Sequence, residues 1–295
     1  MTASQFFKTL ADALLDTLKD SVRLLPFLFI AYLLLEVIEH AGKEKTENLI
    51  RRSGKAGPIV GALTGIVPQC GFSAMASQLY AGHILSLGTL VAVFLSASDE
   101  MLPVLIAEGA PALLILKLIG FKVVIGMAVG LLVDVFYRLY RRRFAAAPIT
   151  DFCEREHCHC EKGVFLSALH HTVRVFLFIL AFSFVLNALI LFIGEEKLTA
   201  FATAAPTLSL LLSGLVGLIP NCASSVILTE LYLGGIIGAG AMLAGLLAGS
   251  GVGIMILFRV NRPMKENFFI LGILYLTGVI VGSLVDFTGL ATFFA

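Results

Sequence analysis

Residues 65–82 read GIVPQCGFSAMASQLYAG, and residues 217–234 read GLIPNCASSVILTELYLG. Laid over one another at a shift of 152 positions, seven of the 18 residues are identical: glycine, proline, cysteine, serine, leucine, tyrosine and glycine. Gln69 then falls on Asn221, Ser77 on Thr229 and Gln78 on Glu230. The same shift lays GMAVGLLVD (126–134) over GVIVGSLVD (278–286), with six of nine residues identical. Shared apolar composition yields scattered matches. It does not align two Pro–amide–Cys triplets and two GxxxGxxxD patterns at one offset. The chain reads as two homologous halves.

The medium follows from composition. Of the 295 residues 58% are hydrophobic and only 14% charged, with a mean hydropathy of +0.97, whereas soluble domains carry about 25% charged residues. The runs Val22–Ile38, Leu113–Phe136, Val164–Ile193 and Phe268–Val285 approach or exceed the ~20 residues that cross a bilayer. The chain is therefore expected to be an integral membrane protein with the lipid bilayer as its first partner. A net charge of +1 leaves no basic surplus for nucleic acid. The opening MTASQFFKTLADALLDTLKD puts Phe7, Leu10, Leu14 and Leu18 on one helical face. That face suits an interfacial helix or one packed on the bundle.

Each half holds five hydrophobic segments, near 21–39, 57–80, 84–98, 99–116 and 117–140, then 168–193, 200–232, 236–250, 251–259 and 267–290. An odd number of spans makes the second half enter from the opposite side. The expected fold is all-α, with about ten transmembrane segments arranged as an inverted five-plus-five repeat with broken or re-entrant helices. The halves are 1–147 and 164–295, joined by a linker at 148–163. The positive-inside rule agrees: with the N-terminus outside, the loops 40–56, 138–163 and 259–266 are cytoplasmic and hold 14 of the 21 basic residues. A multi-pass protein of the cytoplasmic (inner) membrane is the resulting expectation.

Inverted repeats with interrupted helices mark many transporters. Proline removes a backbone donor and displaces the carbonyl four residues back, leaving polar groups that hydrocarbon cannot satisfy. Pro68 and Pro220 are the expected breaks. Beside them Gln69 and Asn221 offer amide oxygens, Cys70 and Cys222 thiols, and Ser73, Ser77, Ser225 and Thr229 hydroxyls at helical spacing. A competing reading makes each proline a kink and each hydroxyl a partner of its own backbone. Asp99 and Glu100 in FLSASDEMLP (94–103), and Glu230 eight residues after Cys222, are carboxylates of the kind that are functional at membrane depth. Asp134 and Asp286, recurring near the ends of the fifth spans, suit capping or interfacial pairing. In the linker, CEREHCHC (153–160) gathers Cys153, His157, Cys158, His159 and Cys160. Thiolates and imidazoles suit Zn or a similar soft ion, and a reducing cytoplasm disfavours a disulfide. The spacing matches no standard zinc finger.

The duplicated VPQCGFSA and IPNCASS motifs, the SASDEMLP segment and the Cys/His-rich linker together resemble the ten-span heavy-metal exporter family, described as arsenic-efflux-type permeases and often labelled manganese transporters. The resemblance runs over nearly the whole chain. It implies export of a metal or metalloid ion from the cytoplasm, with motif positions Pro68, Gln69, Cys70, Ser98, Asp99, Glu100, Pro220, Asn221 and Cys222. The residues leave the ion open: oxygen donors suit Mn²⁺, whereas thiols suit Zn²⁺ or trivalent arsenic. No GxxxxGK[ST] stretch is present, so a proton gradient is the expected driving force, with no tightly bound cofactor and no enzymatic step. A homodimer is compatible with this reading. A membrane-embedded lipid-phosphate enzyme is the alternative, as is a metal-responsive channel or sensor. The enzyme is disfavoured because phosphate chemistry wants Arg or Lys beside the carboxylates to clamp a phosphoryl group, and none lies near Pro68, Glu100 or Pro220.

Overall fold

A computed structural model describes residues 56–67, 70–98, 101–141 and 206–294, with single positions between 18 and 33 and between 165 and 184. The described residues are all-helical. Ten α-helices lie among them: α1 (Gly57–Thr64), α2 (Cys70–Ala81), α3 (Leu87–Ser96), α4 (Met101–Ala107), α5 (Ala112–Arg141), α6 (Pro206–Gly217), α7 (Cys222–Leu233), α8 (Ala239–Ala248), α9 (Val252–Val260) and α10 (Met264–Phe287). A short 3₁₀ turn, Leu290–Phe293, follows. The helix pairs α2/α7, α3/α8 and α5/α10 each begin 152 residues apart.

Ten helices are not ten crossings. Among the described residues four stretches are long and apolar enough to cross a membrane: Leu87–Ala107, Ala112–Tyr137, Ala239–Val260 and Met264–Phe287. The first and third are interrupted, combining α3 with α4 and α8 with α9. In α3 and α8 all ten residues are buried. At 1.5 Å per residue each is roughly 15 Å long, half of a ~30 Å hydrocarbon layer. The long helices α5 and α10 leave much of their surface exposed, as lipid-facing helices do.

Small residues let the layers close. Gly126 and Gly130 of α5 lie against the backbone of α3; a Cβ on Gly130 would sit 2.5 Å from the Gly88 carbonyl and 2.8 Å from the Ala92 side chain. Gly278 and Gly282 of α10 meet Ala244 and Gly240 of α8 in the same way. The motif's aspartate completes the contact. Asp134 Oδ1 accepts from the Gly88 N–H at 2.8 Å and Oδ2 from the Ser86 hydroxyl at 2.8 Å. Asp286 Oδ1 accepts from the Gly240 N–H at 3.0 Å. Each GxxxGxxxD therefore seats a long helix on a short one and places a carboxylate at the short helix's positive end. The capping role expected of both aspartates is the geometry found.

The segment boundaries at 116/117 need correction. Helix α4 stops at Ala107 and α5 starts at Ala112, five residues before the expected 117. Gly109 has φ +68°, the Ala110 N–H bonds the Leu105 carbonyl (2.9 Å) and the Gly109 N–H bonds that of Ile106 (3.2 Å), a Schellman ending. Pro111 then opens α5. The signal EGAP was present at 108–111 and was outweighed by the apolar residues on either side.

The halves interlock. Helix α2 packs on α9 and α4 on α7, so each half's second helix lies against the other half's fourth. The Ser77 hydroxyl donates to the Gly253 carbonyl at 2.7 Å, and Tyr80 donates to Glu266 Oε1. Asp134 is buried and makes two bonds, whereas Asp286 is exposed and makes one among those described. Asp134→Ala should therefore lower stability by about 0.5–2 kcal/mol, the usual cost of a lost cap, and Asp286→Ala by less. Melting of the purified variants in detergent checks the order; equal losses would contradict it.

Candidate functional site

The interruptions after the two proline motifs are real. Helix α1 ends at Thr64 and α2 starts at Cys70; α6 ends at Gly217 and α7 starts at Cys222. Pro220 and Asn221 are half-buried, and the Asn221 carbonyl accepts from both the backbone N–H (3.3 Å) and the hydroxyl (2.8 Å) of Ser224. Pro68, Gln69, Asp99 and Glu100 lie outside the described residues, as do Cys153, His157, Cys158, His159 and Cys160. Cys70 and Cys222 are placed as helix starts, without their side chains. Among the described residues no group of three or more His, Cys, Asp or Glu is gathered to hold a metal ion.

The hydroxyls divide. Ser77 donates to the Ser73 carbonyl (2.9 Å) as well as to Gly253, and Thr229 donates to the Ser225 carbonyl (2.7 Å). These two are spent on helix backbone, as the competing reading anticipated. Ser73 is buried and Ser225 half-buried. Glu230 is exposed on α7, while its counterpart Gln78 on α2 is buried.

What the fold brings together is the set of helix ends. The Ser98 N–H donates to the Gly65 carbonyl at 3.2 Å, which places the stretch after α3 beside the stretch after α1. In the other half, a Cβ on Gly249 would meet the Gly217 carbonyl at 3.4 Å, so the α8/α9 and α6/α7 interruptions are adjacent too. Between the halves stands Lys122. It sits in the eleventh position of α5, 1% exposed, and its ammonium donates to the Ala97 carbonyl that closes α3 and, at 3.0 Å, to the Leu246 carbonyl in the last turn of α8. Each helix C-terminus carries roughly half a negative charge. One ammonium thus answers two helix ends, one from each half.

Lys122 overturns one expectation. The sequence was read as placing no cation near the breaks, yet the fold puts this lysine on the carbonyl two residues before Asp99. The missed signal was an ionisable residue inside the apolar run Leu113–Phe136, which membrane energetics already mark as exceptional. It escaped the repeat comparison because its position 152 residues on is Leu274.

Paired breaks around a buried charge are the frame in which the family comparison belongs. A family model described as "Putative, 10TM heavy-metal exporter" matches residues 5–195, nearly two thirds of the chain. The chain belongs to this family. No curated protein and no solved structure matches it. The matched stretch runs through the first half and the linker into the start of the second, so the VPQCGFSA and SASDEMLP motifs and Lys122 all lie within it. Membership makes this a membrane protein of a heavy-metal exporter family.

Lys122→Met removes the charged donor from both carbonyls and leaves two like-signed helix ends facing each other. Bonds from a charged donor contribute about 1.5–3 kcal/mol each, and relief of the buried charge returns part of that. A net loss of about 1–3 kcal/mol is expected, read as a lower melting temperature in detergent. An unchanged melting temperature would contradict the clasp.

Proposed function

We propose that the protein is a secondary-active exporter of the cytoplasmic membrane that carries a metal or metalloid ion out of the cytoplasm against protons. In this reading its two five-span halves are inverted with respect to each other. The observation that carries the reading is the meeting of interrupted helices from both halves at Lys122. Free backbone ends inside a membrane are tolerated where protein buries them or where they line a hydrated path. Broken helices at a repeat interface are where transporters hold their solutes.

The roles follow from chemistry. Gln69 and Asn221 supply oxygen, and Cys70 and Cys222 supply soft donors at the starts of α2 and α7. Asp99, Glu100 and Glu230 are the groups able to exchange a proton for the ion. The linker residues Cys153, His157, Cys158, His159 and Cys160 would capture a Zn-like ion on the cytoplasmic side. Family membership supports the exporter over the lipid-phosphate enzyme, even though Lys122 removes the argument from missing cations.

A strain lacking its own exporters, grown on Mn, Zn, Co, Ni, Cu, arsenite and arsenate, tests this directly. Expression of the chain should protect against at least one ion, and Cys70→Ser or Glu230→Gln should abolish that protection. Protection against none would sink the reading. In proteoliposomes, replacing Asp99 by Asn and Glu230 by Gln together should flatten the pH dependence of transport; an unaltered dependence removes the carboxylates from coupling.

A further inference from the structure

Gln78 is 1% exposed, and among the described residues neither its amide oxygen nor its amide nitrogen has a hydrogen-bond partner. The Ser209 and Ser213 hydroxyls are also unpaired, but these stand 152 residues after Gly57 and Gly61, where a small residue is what packing demands. No such account covers Gln78. A methionine has nearly the same length and would fill the same volume without stranding a donor and an acceptor.

Its surroundings are otherwise closed. Ala74, one turn earlier, and its neighbour Leu79 pack among Val252, Met255 and Ile256 of α9. Ser77, the preceding residue, is bonded to Gly253 just after the α8/α9 interruption. Gln78 thus belongs to the helix that makes the contact between the halves, next in sequence to the residue bonded beside the α8/α9 break. Its repeat counterpart is Glu230, so both halves carry an oxygen-bearing side chain at this turn.

The amide also selects among solutes. A bare cation satisfies Oε1 and leaves Nε2, a donor, facing positive charge. The waters of an aquo cation donate to Oε1 but, polarised by the metal, accept poorly from Nε2. A hydroxide on a metal or metalloid centre does both, whereas a bare oxide can only accept from Nε2.

We propose that Gln78 binds the transported solute, and that it takes a hydroxo-bearing metal or metalloid species through its oxygen shell instead of a bare cation. The proposal rests on the exporter reading and adds a residue and a solute form to it.

The test uses the full chain in detergent, wild type and Gln78→Met, with three probes: arsenite as a neutral hydroxide, arsenate as an oxyanion and manganese chloride as an aquo cation. Without probe, Gln78→Met should melt at or above the wild type. Arsenite or arsenate should raise the melting temperature of the wild type, with at least tenfold weaker apparent affinity in Gln78→Met. Retained affinity in the variant overturns the proposal, as does a loss confined to manganese; either result leaves the exporter reading standing. No response of the wild type to any probe overturns the proposal, and the ion-protection assay then decides the exporter reading separately. Gln78→Leu repeats the comparison should the methionine variant not express. Failure of both to fold counts against the proposal, because removing an unpartnered amide should not unfold the protein.

Discussion

A helix that stops inside an apolar medium leaves backbone donors at one end and acceptors at the other, and these ends govern the structure of this chain. Helices α3 and α8 are buried along all ten residues, so neither end can turn to solvent. Their N-terminal ends receive carboxylates, Asp134 and Asp286. Their C-terminal ends share the ammonium of Lys122. Charge follows the helix dipole at every one of these points. The otherwise costly ionised groups in an apolar chain are placed where backbone partial charges offset them.

Close approach imposes a second demand, and the halves meet it with exchanged side chains. In the first half Gly57 and Gly61 of α1 accept Thr89 and Val93 of α3; a Cβ on Gly61 would lie 3.1 Å from Val93. At the positions 152 residues on, α6 carries Ser209 and Ser213, and α8 carries Ala241 and Gly245. Bulk has moved from the inner helix to the outer one at both contacts. At the first contact volume is kept while identity is lost, as packed interiors allow; at the second the Leu228 side chain lies against Gly245. The exchange also explains why the repeat is faint here in sequence although the helix pairs correspond.

The parts of the fold legible in the sequence were those with local chemical punctuation. Proline marked the interruptions before Cys70 and Cys222, and the aspartates of GxxxGxxxD were legible as caps, whereas the seating of α5 on α3 and of α10 on α8 by the glycines was not. The α4/α5 boundary was missed because Glu108, Gly109 and Pro111 are flanked on both sides by apolar residues, and hydropathy was given more weight than turn chemistry. The αL ending of α2 was hidden for another reason. It uses His83, at φ +60°, where α7 uses Gly235 at φ +69°, and histidine, although enriched at positive φ, is a far weaker signal than glycine. Of the candidate site, the helix starts at Cys70 and Cys222 were readable. Lys122 was not, because its role depends on two carbonyls 25 and 124 residues away.

That distance makes Lys122 more than a local clasp. Asp134 and Asp286 recur at the 152-residue offset. Lys122 has no twin: Leu274 stands in its place, fully buried among Phe94, Leu95 and Leu247. A second lysine there would bring another buried charge into that apolar cluster, at a desolvation cost of several kcal/mol. One suffices because it binds an end from each half. The consequence is mechanical. Hydrogen bonds weaken steeply beyond ~3.5 Å, so moving α3 relative to α8 by even an ångström or two stretches at least one of the two bonds unless the lysine follows. Any relative motion of the two inner helices must therefore be accommodated at this ammonium.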